Sequence, residues 1–302
     1  MKKVIFYILG SAFFFSTMEV TLKIAAADMD ALQLTFIRFM AGGLFLLPFA
    51  LREMKKNKVS LNVKDYLYMF MLGIICIPVS MVFFQLGVMY SNASTAAVIF
   101  CVNPIFTMLF AHFIIAEHMN KKKGAALIIA ALGIIFMIEP WDMPEGNSVK
   151  GIVYIIFAAL TFGIYSVLGK KSIAKIGSIT QTAISFIMGS GALLAVNIFF
   201  DAPIFYGIGR SDILIILYIS VGVTGLGYLF YFMAIHKSDA ATGSIVFFIK
   251  PALAPVFAVI IMGEHLGIAE ITGIVLILVA SFINLGAKVL ENLKQEVKND
   301  KA

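Results

Sequence analysis

Charge is scarce in this sequence. Of its 302 residues, 13% are charged and 61% are hydrophobic. A soluble domain cannot bury so much apolar surface, so the composition excludes an ordinary soluble protein and indicates that lipid surrounds the chain. Cysteine is also rare: Cys76 and Cys101 are the two present, and both lie inside apolar runs, so no disulfide framework is expected.

Long polar stretches are missing as well, because apolar runs follow one another with short connections. A bilayer core of about 30 Å needs roughly 20 apolar residues in a helix, and unpaired backbone groups cannot face lipid. The sequence therefore predicts transmembrane helices in its ten apolar runs: 4–26, 31–51, 66–90, 93–116, 123–140, 150–170, 179–200, 212–235, 240–262 and 270–290.

The basic residues are distributed unevenly around these runs. If the N-terminus is cytoplasmic, 18 of the 23 Lys and Arg residues fall in inner segments, Lys150 and Arg210 fall in outer loops, and three lie within runs. The positive-inside rule then predicts that both termini are cytoplasmic. The net charge of +6 is explained by topology, so no nucleic-acid partner is expected.

An internal repeat relates the two halves. A shift of 147 residues aligns them without a gap over most of their length: "ASTAAVIFCVNP" at 93–104 falls on "AATGSIVFFIKP" at 240–251, and Glu117-His118 falls on Glu264-His265. Self-similarity of this length indicates duplicated units. We expect a first repeat at 1–147, a second repeat at 148–290 and a cytoplasmic tail at 291–302.

Each half holds five runs, an odd number, so the halves enter the membrane from opposite sides. The predicted fold is an all-α membrane protein with ten transmembrane helices arranged as two inverted five-helix repeats. Transporters use this construction, with binding near the midplane and alternating access. Inversion also places the two Glu-His pairs on opposite faces, which excludes one shared metal site. We expect each carboxylate near the start of the next helix, where the helix dipole favours it.

The repeated block resembles the EamA-type members of the drug/metabolite transporter superfamily. "TAAVIFCVNPIFTMLFAHFIIAEH" and "TGSIVFFIKPALAPVFAVIIMGEH" share a small-residue start, a proline within the helix and a terminal Glu, and "FIRF" at 36–39 resembles the second helix of the family. The tryptophan common in the first helix of the family is absent, and Phe13 to Phe15 occupy that region. The resemblance implies a bacterial inner-membrane protein that moves small metabolites, amino acids or drugs.

The stretch "FFIKPALAP" at 247–255 places one lysine and two prolines in an apolar run. A charge at the bilayer centre costs about 2.5–3.5 kcal/mol on insertion scales and usually faces protein or water. Lys250 lies near the middle of its run, and Asn103 is its repeat counterpart. Proline frees carbonyl groups, which only a cavity lined by protein tolerates. We predict a substrate site at Lys250 and Asn103, with helix breaks or gates at Pro104, Pro251 and Pro255.

Glu19 and Arg38 are further candidates for this site, at a similar depth in the first two runs. Glu19 has three possible partners: Arg38 in a structural ion pair, Lys250, or a substrate amine or coupling proton. Because burial favours the neutral form of an amine, Lys250 could itself carry the coupling proton.

Weaker signals come from aromatic residues and helix-weakening positions. Tyr228, Tyr231 and Phe84 are candidates to line a cavity, with simple packing as the alternative. Pro78 falls on Gly225 in the repeat, and both weaken helices. The fifth and tenth runs are rich in small residues that suit close helix packing, either as a scaffold or as a homodimer contact.

Together these features favour an alternating-access carrier of small polar metabolites, with export of an amino acid or a related metabolite as the leading hypothesis. A drug or nucleotide-sugar carrier of the same superfamily is an alternative, and a lipid flippase or scramblase is an alternative from another class. An enzyme is not expected, because no paired acids, Ser/His arrangement or clustered metal ligands share one depth. No cofactor and no metal are expected.

Overall fold

The computed structural model describes residues 2–116, 121–205, 207–237 and 246–299. Helices make up the fold of these residues, and no strand occurs among them. The first half contains α1 (Lys2–Ser16), α2 (Met18–Ala25), α3 (Ala31–Lys56), α4 (Val63–Ile74), the π-helix π1 (Ile75–Met81), α5 (Val82–Met89), α6 (Ala93–Phe100), α7 (Asn103–Ile115) and α8 (Lys121–Ile138). The second half contains α9 (Val149–Ile176), α10 (Ser178–Phe199), α11 (Arg210–Leu217), the π-helix π2 (Tyr218–Gly227), α12 (Tyr228–Lys237), α13 (Val246–Met262) and α14 (Ile268–Asn299).

Among the residues that the structure describes, seven helical segments are long and apolar enough to span a membrane. They are Lys2–Ala25, Ala31–Lys56, Val63–Met89, Ala93–Ile115, Val149–Lys170, Ser178–Phe199 and Asp212–Lys237. Two shorter apolar helices, Ile249–Met262 and Ile268–Ile283, follow in the second half. The chain is therefore a multi-pass helical membrane protein, while the count of ten crossings stays a prediction.

The helix-weakening residues differ in what they do to the backbone. The fourth run breaks at Cys101 and Val102, so that Pro104 lies in the first turn of α7, where its missing N–H costs no hydrogen bond. Pro78 lies within π1 and Gly225 within π2, so both positions sit in widened helix.

The expected break at Pro251 and Pro255 is not observed. Both prolines lie inside the continuous helix α13. Transmembrane helices tolerate proline without ending, because neighbouring helices and local adjustments compensate for the lost backbone hydrogen bond. The repeat therefore does not reproduce the break at 101–102 in its second copy.

The two halves of the chain pack extensively against each other. Helix α3 lies along α10, α8 along α14, and α9 along α5, α7 and π1. Gly133 of α8 faces Gly273 of α14, and a Cβ atom on Gly273 would lie 2.8 Å from the Gly133 carbonyl oxygen. The small residues of the fifth and tenth runs thus allow close packing within the chain, as a scaffold would require.

Polar contacts mark the two ends of the helix bundle. At one end Lys175 Nζ lies 2.6 Å from Asp65 Oδ1, and Glu53 Oε2 accepts a 2.7 Å hydrogen bond from the Thr180 backbone N–H. We call this the lysine end. At the other end the Asn92 backbone N–H donates to Asn147 Oδ1 at 2.8 Å. We call this the capped end.

Backbone contact between α4 and α10 gives a first prediction. A Cβ atom on Gly189 would lie 2.8 Å from Gly73 Cα, so Gly189→Ala must push the helices apart. Overpacking of this kind costs about 1–3 kcal/mol. We expect a lower unfolding midpoint for Gly189→Ala in detergent. Gly191→Ala is the matched control, because no atom lies within 4 Å of its Cβ position. Equal midpoints for the two variants would contradict the packing.

Candidate functional site

A buried ion pair joins the two halves of the chain. Lys250 Nζ of α13 lies 2.7 Å from Glu19 Oε1 of α2, and the side chains are 4% and 1% exposed. A charge in such a place must be paired, because removing one partner of a buried pair costs several kcal/mol. The structure thus selects Lys250 from the possible partners of Glu19.

Few other groups contact the charged atoms of Glu19 and Lys250. Glu19 Oε2 makes no hydrogen bond with the protein atoms that the structure describes. The Phe100 ring centroid lies 5.6 Å from Lys250 Nζ, within the range of a cation–π contact. Asn103, the repeat counterpart of Lys250, donates through Nδ2 to the Phe100 carbonyl oxygen at 3.0 Å. That bond uses a carbonyl group next to the helix break.

Arg38 does not form the ion pair with Glu19 that the sequence allowed. Its guanidinium is buried, with Cζ 4.4 Å from the Phe39 ring centroid. Nη2 contacts Met81 Sδ at 3.7 Å. Depth alone suggested the pairing with Glu19, but Lys250 reaches that carboxylate instead.

A cavity of about 330 Å³ lies beside the ion pair. Its walls come from both halves and combine aromatic rings with hydroxyl, amide and amine groups. They are formed by Phe15, Met18, Phe100, Cys101, Asn103, Pro104, Thr107, Met108, Lys123, Phe162, Tyr165, Ser166, Gly169, Lys170, Ile173, Gln181, Thr182, Tyr228, Tyr231, Phe232, Phe247, Lys250 and Ser281. The mixture of apolar surface and a few polar groups is typical of small-molecule sites.

The cavity brings together only some of the residues that the sequence singled out. Five of them lie on its wall: Lys250, Asn103, Pro104, Tyr228 and Tyr231. Seven do not: Glu19, Arg38, Phe84, Pro78, Gly225, Pro251 and Pro255. Phe84 is fully buried and packs on Phe100 with ring centroids 4.4 Å apart, so it supports the wall from behind.

Sequence reasoning missed the polar contribution of α9 and α10. Gln181 Nε2 donates to the Tyr165 hydroxyl at 3.1 Å, and Thr182 and Ser166 lie nearby on the wall. The run of hydroxyl and amide side chains in "SITQTAIS" at 178–185 was the available signal. Each of these side chains is individually ordinary in a membrane helix, so only their convergence in space distinguishes them.

The cavity extends toward the lysine end. Its wall continues from Lys250 to Lys170 and Ile173, which are exposed near the end of α9. Lys123, at the start of α8, also lies on this wall. The wall thus runs from the ion pair to residues that are exposed at this end.

The capped end is closed by a carboxylate that crosses between the halves. Glu264 follows α13, and its Oε1 accepts a 2.6 Å hydrogen bond from the Ala93 backbone N–H at the start of α6. Its Oε2 accepts from the Ser94 backbone N–H at 3.0 Å and from the Ser94 hydroxyl. The Lys23 ammonium donates to the Ser91 carbonyl oxygen beside them.

This contact corrects the expected role of Glu264. The carboxylate does stabilise a helix N-terminus, but the helix is α6 of the other half and not the next helix in the chain. The Ala93 and Ser94 N–H groups at the start of α6 lie within hydrogen-bond distance, and the helix dipole favours a carboxylate there. Among the described residues, no group of three or more His, Cys, Asp or Glu side chains could hold a metal ion. Glu117-His118 lies outside those residues.

Comparison with known proteins identifies the family. The model of the EamA-like transporter family matches residues 2–139 and 149–286, which together form most of the chain. The protein belongs to this family of membrane transporters. The two matched segments correspond to the two repeats of the family.

Similar proteins include other transporters. An uncharacterized transporter of Clostridium kluyveri is 37% identical, covering 99% of this chain and 98% of its own. The S-adenosylmethionine uptake transporter of Rickettsia prowazekii is 23% identical, covering 87% and 85%. A crystal structure with 15% identity superposes with a TM-score of 0.66 over 94% of this chain and 96% of that one, which shows a shared fold.

The ion pair predicts that losing one partner destabilises the protein more than losing both. Lys250→Met strands the buried Glu19 carboxylate, and we expect a loss of about 3–5 kcal/mol. The double variant Glu19→Gln/Lys250→Met removes both charges and should recover most of that loss. Unfolding in mixed detergent micelles measures both effects. Lys175→Met, which breaks an exposed pair at the lysine end, is the control and should change stability little.

A single Lys250→Met variant as stable as the unmodified protein would contradict the pairing. So would a double variant no more stable than the single one.

Proposed function

We propose that this protein is an alternating-access carrier that exports a small polar metabolite, such as an amino acid or a related carboxylate. The observation that carries the proposal is the cavity, which contains the buried Lys250 ammonium and extends to the exposed Lys170 and Ile173 at the lysine end. A carrier in one of its two access states has this form. Membership in a transporter family and similarity to an S-adenosylmethionine uptake transporter support a small-molecule solute.

The proposal includes an inverted arrangement of the two repeats. Lys2, Lys3 and Lys237 border one depression, so α1 begins beside the end of α12. Ser148, by contrast, starts α9 at the capped end and donates to the Tyr90 carbonyl oxygen at 2.7 Å. These contacts support an arrangement in which the first helix of each repeat starts at a different end, as inverted repeats require.

Closure of the capped end supports alternation between two states. The contact of Glu264 with Ala93 and Ser94 consists of a few hydrogen bonds between helices of different halves. Such a contact can break without unfolding a helix, whereas a continuous apolar core could not separate so easily. Opening of the capped end would require that these bonds break.

The direction follows from the positive-inside expectation. That rule assigns the lysine end to the cytoplasm. The cavity would then face the cytoplasm, the side from which an exporter takes up its solute.

Lys250 is the group that would bind the solute. Its ammonium lies on the cavity wall, where it can donate charge-assisted hydrogen bonds to a carboxylate. Glu19 lies behind it and would act as a positioning residue that keeps the ammonium directed at the same place.

Thiol accessibility tests the one-sided opening. In a Cys76→Ser/Cys101→Ser background, Ser166→Cys places a thiol on the cavity wall. We expect modification by a membrane-impermeant reagent applied to the lysine end, and slower modification from the capped end. Ser80→Cys is the control, because Ser80 is buried, lies off the cavity wall and donates to the Ala158 carbonyl oxygen.

Equal rates from both ends would contradict a carrier at rest in this state. Modification of Ser80→Cys at the same rate as Ser166→Cys would show that the reagent does not report on the cavity.

Removal of the Glu264 charge tests the closure. Glu264→Gln weakens the bonds to α6, and we expect faster modification of Ser166→Cys from the capped end, by about threefold to tenfold if the lost bonds are worth roughly 1 kcal/mol. Glu270→Gln is the matched control, because Glu270 accepts its hydrogen bond from Gly267 at the start of its own helix. If both substitutions act alike, Glu264 does not hold the closure.

A further inference from the structure

We infer that the solute is a small organic anion whose carboxylate binds Lys250 and which carries no free ammonium group. This inference rests on the proposed carrier function and narrows its substrate class. Within amino-acid-like metabolites, it selects molecules whose amine is absent or acylated. Charge, access and the surface of the cavity each support this choice.

All charged side chains on the described cavity wall are positive. Lys250 and Lys123 are buried there, and Lys170 is exposed toward the lysine end. No Asp or Glu of the described residues lines the cavity. An ammonium group on the solute would therefore lose its water without gaining a carboxylate partner, which is costly.

Glu19 cannot supply that partner. Its Oε1 accepts the hydrogen bond from Lys250, the side chain is 1% exposed, and the residue does not reach the wall. The Lys250 side chain, which does reach the wall, holds Oε1 of this carboxylate. An amine could contact Glu19 only by displacing Lys250, and that would leave the lysine as a buried charge without a partner.

Around the ion pair, two buried cations face one buried carboxylate. Lys250 and Arg38 are cations, and Glu19 is the carboxylate that interacts with both. The guanidinium of Arg38 adds its charge from outside the cavity wall, with Met81 and Phe39 as its described contacts. A carboxylate on the solute offsets the extra positive charge of these three groups, whereas a zwitterion leaves it unchanged. At such low exposure, solvent screens this difference weakly.

The rest of the cavity is lined by aromatic rings and suits an apolar group on the solute. Phe15, Phe247 and Tyr231 form one aromatic cluster on the wall, with Phe15 and Phe247 stacked at 6.4 Å and Tyr231 edge-on to Phe247 at 5.3 Å. Phe100 and Phe162 form another, with centroids 5.5 Å apart. The expected solute thus combines one carboxylate with an apolar or aromatic group.

Matched probes test this class. We would measure the melting temperature of the full-length protein in detergent with 3-phenylpropanoate, its neutral isostere 3-phenylpropanamide, N-acetylphenylalanine, phenylalanine and 2-phenylethylamine. The two anions should bind about tenfold more tightly than the amide or phenylalanine, which is the range of one charge-assisted hydrogen bond. The amine should not stabilise the protein.

The double variant Glu19→Gln/Lys250→Met provides a folded protein without the cation. We expect that the preference of each anion over the amide is lost in this variant. If neither anion binds more tightly than the amide in the unmodified protein, or if phenylalanine or the amine binds best, the inference is wrong. The inference is also wrong if the double variant still binds the anions more tightly than the amide. None of these results alters the accessibility of Ser166→Cys, so the carrier proposal stands or falls separately.

Discussion

The ion pair between Lys250 and Glu19 is the constraint on which the rest of the structure depends. Each charge is buried so completely that neither is tolerable alone. The pair therefore fixes the distance and rotation between α2, from the first half of the chain, and α13, from the second. The cavity wall is a consequence, because a lysine held from one side presents its ammonium to the other.

Irregular backbone surrounds this pair and gives the cavity its shape. The first half breaks between α6 and α7, and both halves contain a π-helix in the third run. Backbone groups freed in this way need partners inside the protein. The Asn103 side chain meets one of them, at the Phe100 carbonyl oxygen, and the cavity lies directly beside it. Close glycine contacts, such as Gly73 with Gly189, keep the flanking helices packed while the centre stays hollow.

The sequence predicted which charged side chains lie inside the protein better than it predicted which of them pair. The depth of Lys250 and Asn103 follows from counting residues along apolar runs, and the helix break near Pro104 follows from proline chemistry. Partners depend on helix rotation, which no pattern in a single chain specifies. Arg38 and Glu19 share a depth, yet the carboxylate faces α13. Glu264 likewise binds the N-terminus that is nearest in space.

The polar residues of α10 show the same limit for the candidate site. Gln181 and Thr182 stand in an apolar run with no feature that separates them from packing residues, and they become significant only because α9 and α10 converge on the cavity. The repeat also misled in one place: Pro251 corresponds to Pro104, but α13 continues through it. Duplicated sequence predicts equivalent positions, whereas the two copies have different neighbours.

The most direct test of the ion pair is the infrared difference spectrum between the unmodified protein and Glu19→Gln at neutral pH. The substitution removes the infrared bands of the Glu19 carboxyl group and leaves a side chain of the same size. If Glu19 is paired with a charged Lys250, the difference spectrum contains the stretching bands of an ionised carboxylate. A carbonyl band from a protonated carboxylic acid at this position would contradict the pair and the account built on it.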